Sequence, residues 1–267
     1  MARSTSRGLS SSVRSEFGDR VGANARLTQP LVLGERNSDN AKAYDAIKGN
    51  EESFQKLITI MARWQDGVGN TTKIAFKDAY DELPQKIKDL ITEPRETMEK
   101  LKRGINEPKS EIIKRIKDGY ERSYERILNK YEYAEDYEPK IEKLEKEEKE
   151  RLRVFNEASS INGWTHSIET ALKFGNYVLT SDEVESFDAI VSTAKLEKIM
   201  KSVFTPESIS QDYVGGIHRQ WARYENEYIV MGVKLSRDAE DLALNFINKN
   251  ADMLNKIKES ERKKYGE

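Results

Sequence analysis

The chain has no cysteine among its 267 residues. That absence removes disulfides, thiolate metal sites, iron–sulfur clusters and cysteine nucleophiles together. Only two histidines occur, His166 and His218, which leaves almost no material for a histidine-rich metal site or a Ser-His-Asp triad. No apolar run approaches the roughly 20 residues that cross a bilayer, and no apolar segment follows the first basic residues. Neither a membrane partner nor a secretory signal is therefore expected. P-loop and G-x-G-x-x-G patterns are missing, and the usual phosphate cradles with them. An excess of one charge is missing too: 45 Lys and Arg stand against 47 Asp and Glu, for a net charge of −2. Bulk binding to a polyanion is not expected from such a balance. What remains for chemistry is carboxylates, hydroxyls, arginines and aromatics.

Three textures follow one another. Residues 1–38 are rich in Ser, Arg, Gly and Asn and read as a flexible arm, the one place where contact with nucleic acid or an acidic partner is expected. Residues 39–148 read as helical. Phe54, Leu57, Ile58, Met61 and Trp64 share one face of a 3.6-residue repeat, and Ile113, Ile116, Tyr120, Tyr124, Ile127 and Tyr131 form a second stripe. This region is expected to serve docking or targeting. From 149 to 267 short apolar segments alternate with helices. Leu152–Phe155, Trp164-Thr165, Tyr177–Leu179, Ala189–Val191 and Glu225–Leu235 are expected strands. Ser167–Phe174, with Ile168, Ala171 and Leu172 on one side, Leu196–Val203, and a terminal helix capped by Ser236, with Leu242, Phe246, Ile247, Leu254 and Ile257 inward, are expected helices. The fold class expected is α+β, a helical region followed by a mixed domain with a small split sheet.

The second half also carries a pair of acids at strand spacing. Glu225 and Glu227 lie two residues apart at the head of Tyr228-Ile229-Val230-Met231, so a strand projects both from one face. Upstream, in order, come Arg153 on an expected strand, the turn Gly163-Trp164-Thr165-His166-Ser167, and Ala171 and Phe174 on the helix that follows. This order resembles the mono-ADP-ribosyltransferases of the arginine–serine–glutamate type, in their compact bacterial and phage forms, over about residues 150–235.

The resemblance implies an enzyme with NAD+ as co-substrate and no metal. Glu227 would lie beneath the ribose, where a carboxylate stabilises an oxocarbenium-like transition state. Glu225 would orient and deprotonate the acceptor. In this family Glu-x-Glu goes with arginine acceptors, and a guanidinium pairs well with a carboxylate. Arg153, with Arg151 as the fallback on the same strand face, would hold the NAD+ phosphates. Thr165 would fix the catalytic carboxylate, Trp164 and Ser167 would belong to the same cofactor-binding turn, and Phe174 would flank the nicotinamide ring. Trp221 and Tyr224 would face an acceptor protein.

Two features depart from the family pattern. The position of its first hydroxyl is Gly163, for which Ser167 or Ser160 is the candidate substitute. The Leu152–Phe155 stretch lacks the family's aromatic–Arg–Gly signature. The Gly163 departure and the arm at residues 1–38 favour an alternative, a virion-associated or other structural helical protein that keeps the transferase fold without its activity. A second alternative is a helical adaptor that binds a protein through its tyrosine face. The expected location is the cytoplasm, including that of a host cell, or a virion; an effector role in a phage or bacterial setting is what the analogy implies.

Overall fold

The computed structural model describes residues 30–64, 69–131, 134–209 and 227–250. The chain divides into two compact units, Met1–Leu90 with Leu196–Arg219, and Ile91–Lys195 with Gln220–Glu267. Its class is mixed α+β, mostly helical with small antiparallel sheets. No helix among the described residues is long and apolar enough to cross a membrane.

The first unit is built from helices α1 (Ala41–Ile47), α2 (Glu51–Trp64), α3 (Asn70–Asp81) and most of α4 (Gln85–Ile91). The α2 stripe behaves as its spacing predicts: Phe54, Leu57, Ile58 and Met61 are all buried. The Trp64 side chain lies outside the described residues. Phe54 stacks on Phe204, with ring centroids 5.7 Å apart. The last residues of the expected arm belong to this core. Leu31 is buried, Leu33 forms a bridge with Phe204, and Arg36 pairs with Asp45 at 2.8 Å.

The second unit contains three small antiparallel sheets. The central one has the order β2 (Asn162–Trp164), β6 (Tyr228–Met231), β5 (Ala189–Ser192). A two-stranded sheet pairs β1 (Arg103–Ile105) with β3 (Tyr177–Leu179), and another pairs β4 (Val184–Ser186) with β7 (Lys234–Leu235). An isolated bridge between Lys102 and Thr165 joins the ends of β1 and β2. Met98, Leu101, Trp164, Leu179, Ile190, Val230 and Val233 form the core beneath these strands. Helix α7 (Ile168–Phe174) packs on β1, and α9 (Arg237–Lys249) ends the described chain. Helix α8 (Thr193–Val203) follows β5 and belongs to the first unit from Leu196 onward. A hairpin of two long helices, α5 (Lys109–Lys130) and α6 (Ala134–Ser159), connects β1 to β2.

Several expectations are corrected here. Leu152–Phe155 is not a strand but the last part of α6. The Lys and Glu spacing from Lys140 onward supports continuous helix through i,i+3 and i,i+4 pairs, and four apolar-leaning residues carry no period strong enough to interrupt it. The boundary expected near 148 falls inside this helix, and the strand β1 comes from the stretch read as wholly helical. In α7 it is Thr170 and Ala171 that are buried, while Ile168 and Leu172 are more than half exposed. In α9 the buried face is Ala239 and Ala243, and Leu242 and Phe246 are exposed. The expected Glu225–Leu235 strand is described from Tyr228 and breaks between β6 and β7. The other expected strands and helices form, including the Ser236 cap, whose Oγ accepts from Ala239 N at 3.1 Å.

Candidate active site

Glu227 is the residue before β6, and its backbone carbonyl is held from the β5–α8 junction. Thr193 donates to it from Oγ1 at 2.8 Å and from its backbone N at 3.4 Å. The register of β2 on β6 pairs Gly163 with Ile229 and Trp164 with Tyr228. Continuing it by one residue sets Thr165 opposite Glu227, and alternation puts Gly163, Thr165, Glu227 and Ile229 on one face. The carboxylate of Glu227 lies over Gly163 itself. A Cβ at that position would stand 2.2 Å from Oε1, so glycine is what admits the acid there. The departure at Gly163 thus has a local structural cause.

Thr165 is buried, at 6% exposure. Its backbone exchanges two hydrogen bonds with Lys102, at 2.7 and 2.9 Å, and its Oγ1 accepts from Ser167 N at 3.2 Å. Ser167 caps α7 through Oγ, which accepts from Thr170 N at 3.1 Å. Phe174, at the other end of α7, is 52% exposed. Its ring is thus open to contact from outside the chain.

The Leu152 stretch is helix, and an arginine stands instead on β1. Arg103 follows Lys102, the residue bridged to Thr165, and pairs with Leu179 on β3. Arg103 opens β1, Thr165 follows β2 and Glu227 precedes β6. In the Lys102–Thr165 bridge it is Lys102 that shares the face of Thr165, and Arg103 alternates to the opposite one with its partner Leu179. The Arg103 guanidinium makes no hydrogen bond or ion pair with the described residues. Burial lowers it to about 10, which leaves it cationic at neutral pH. Gly104 brings this strand against α7: a Cβ there would lie 1.9 Å from the Ala171 carbonyl oxygen. Sequence reading missed Arg103. Its signal was the Arg-Gly pair inside Leu101-Lys102-Arg103-Gly104-Ile105, an alternating run set between Pro94 and Pro108.

Arg153 lies instead on the outer face of α6. It binds Glu150 at 2.8 Å and Glu157 at 3.1 Å, its side chain is 62% exposed, and the Glu150 hydrogen bond raises its pKa. Arg151 is exposed on the same helix. Trp164 is also not a surface for a ligand. It is 1% exposed, packed in the core on the face opposite Gly163 and Thr165, and its Nε1 has no hydrogen-bond partner among the described residues. Glu225, Trp221 and Tyr224 lie outside the described residues.

His166 is tied into the scaffold. Its Nδ1 lies 3.3 Å from the Lys100 carbonyl oxygen and its Nε2 2.9 Å from the Tyr228 hydroxyl. The carbonyl can only accept, so Nδ1 carries the proton in the neutral ring and Nε2 accepts from Tyr228. Burial, followed by the charge of Glu93, raises the Tyr228 pKa. Among the described residues no group of three or more His, Asp or Glu side chains is arranged to hold a metal ion. No protein-family model, curated protein or solved structure matches this chain.

Proposed function

We propose that the second unit transfers ADP-ribose from NAD+ to a protein side chain, an arginine on the Glu-x-Glu reading, and releases nicotinamide. The observation that carries this reading is the placement of one acid: the Glu227 carboxylate lies over Gly163, on the face of Thr165, which is bridged to the residue before Arg103. A carboxylate beside a buried hydroxyl is the pair needed to stabilise the charge that develops on a ribose as its base departs.

The phosphate role first expected of Arg153 is not assigned to it in this reading, because Glu150 and Glu157 hold its guanidinium on α6. Phe174 flanks the nicotinamide, and Thr165 holds the strand against Glu227. The bond between ribose C1′ and the nicotinamide nitrogen breaks with its electron pair leaving on nicotinamide, which departs neutral. Glu227 stabilises the positive charge that develops on the ribose. The acceptor nitrogen then bonds to C1′ and gives its proton to Glu225.

Incubation with NAD+ and a guanidinium acceptor tests this. Nicotinamide release and label transfer are expected from the wild-type chain. Glu227→Gln abolishes both at an unchanged melting temperature, and Glu225→Gln loses transfer more than hydrolysis. Equal inertness of wild type and Glu227→Gln across several guanidinium acceptors would discard the proposal. The absence of a hydroxyl at Gly163 favours a second reading, a structural protein that keeps the fold without turnover. That reading requires that calorimetry detect no NAD+ binding.

A further inference from the structure

The α5–α6 hairpin carries a surface that the proposed chemistry leaves unused. Two contacts define how its helices align. The Tyr124 hydroxyl donates to the Glu148 carboxylate at 2.8 Å, and Lys140 Nζ lies 4.3 Å from the centre of the Tyr131 ring. One turn along each antiparallel helix from the Tyr124–Glu148 pair, Leu128 is level with Leu144.

Leu128 is 49% exposed, and no residue of α5 is buried. Beside it opens a groove of about 520 Å³, lined by Tyr124, Ile141, Glu145, Glu148, Lys149 and Leu152. Tyr124 and Leu128 are four residues apart on α5, and Ile141, Glu145, Glu148 and Leu152 follow steps of four, three and four on α6. Knob and groove therefore share one face of the hairpin. The two helices also carry opposite charge. α5 has seven basic and four acidic residues, a net +3; α6 has six basic and nine acidic, a net −3.

We propose that this face is a self-association surface whose occupant is the same face of a second copy of the chain. A two-fold axis running along the hairpin, between two such faces, lays α5 of each copy on α6 of the other. The net charges then oppose across the interface, and every neighbouring pair in the four-helix arrangement runs antiparallel. Leu128 of one copy stands over the groove of the other, between the levels of Ile141 and Leu152. A helix from a different protein would need only the groove. Knob, groove and charge that complement one another on a single face are the mark of an isologous contact.

Sedimentation of the full chain at micromolar concentrations is expected to give twice the chain mass. Leu128→Glu is expected to return it to a single chain while the far-ultraviolet helical signal stays unchanged. Because the chain has no cysteine, the single variants Leu128→Cys and Glu145→Cys give a second readout. Mixed and oxidised, they are expected to form a disulfide-linked dimer well above the yield of either alone. If Leu128→Glu loses helical signal, the cross-linking pair decides by itself. A wild-type chain of single mass, a well-folded Leu128→Glu that stays dimeric, or a mixture no more cross-linked than its components overturns the proposal. None of these readouts depends on turnover, so their failure leaves the proposed activity standing.

Discussion

The Glu227 carboxylate and the Gly163 backbone meet across β2 and β6 with no room for a methyl group between them, a Cβ at 163 falling 2.2 Å from Oε1. The contact is between the end of a flexible side chain and a strand, so a larger residue at 163 displaces the acid more readily than it unfolds the sheet. Gly163→Ala is expected to leave the melting temperature within a few degrees of wild type. Nicotinamide release is expected to fall about a hundredfold, the scale of a one-ångström misplacement of a reacting group. A Gly163→Ala variant with unchanged turnover would remove Glu227 from the chemistry.

Arg103 and Arg153 separate the two possible arginines in one experiment. Arg103→Lys keeps the charge on the face opposite Thr165 and Glu227, and the KM for NAD+ is expected to stay at the wild-type value. Arg153→Ala removes exposed ion pairs on α6, and pairs of that kind contribute about 0–1 kcal/mol. Its kinetics are expected to match wild type. Steady-state rates against NAD+ concentration check both, and a KM raised about tenfold by either substitution would assign that arginine to the NAD+ phosphates.

Trp164 is expected to register in stability, not in affinity. Truncation to Ala removes a core side chain that is 1% exposed, a change that costs about 3–5 kcal/mol. Trp164→Phe also removes an indole N–H that has no partner among the described residues, which offsets part of its lost packing. Denaturant melts of both variants check this. A Trp164→Phe variant of normal stability and sharply raised KM for NAD+ would contradict the packing role.

The Tyr124–Glu148 pair gives the chain an alkaline dependence with a defined sign. Burial, the hydrogen bond to Glu148 and the neighbouring Glu145 push the Tyr124 phenol up to about 12. A group whose pKa is raised on folding contributes stability in full below its unfolded value, near 10 for tyrosine. That contribution is lost as pH rises through about 12, because the unfolded chain releases the proton first. Wild-type melting temperature is therefore expected to fall between these values more steeply than that of Tyr124→Phe. Parallel curves would show that the pair does not couple to folding.

Much of the local structure was legible in the residues. The Phe54–Met61 stripe predicts a buried helix face, and it is one. Ser167 and Ser236 predict helix starts, and both cap. The strands at Trp164, Tyr177 and Ile190 form where apolar runs meet turn residues. Each of these signals lies within about ten residues of the structure it reports. Leu152–Phe155 failed because a four-residue run cannot be told from a helix segment by period alone.

The residues alone decided the material: carboxylates, hydroxyls and arginines without cysteine, and the order in which a turn, a helix and a Glu-x-Glu pair follow one another. Only the tertiary structure decided where the arginines fall, Arg153 on a helix and Arg103 on a strand. β1 is three residues long and owes its existence to backbone hydrogen bonds with β3 and a bridge to Thr165, partners more than 60 positions further along the chain. Nothing in a local window encodes such pairing, because the donors and acceptors that stabilise it are supplied by distant segments once the core has closed. For the same reason Gly163 looked like a missing hydroxyl in the sequence, and folding made it the space into which Glu227 fits.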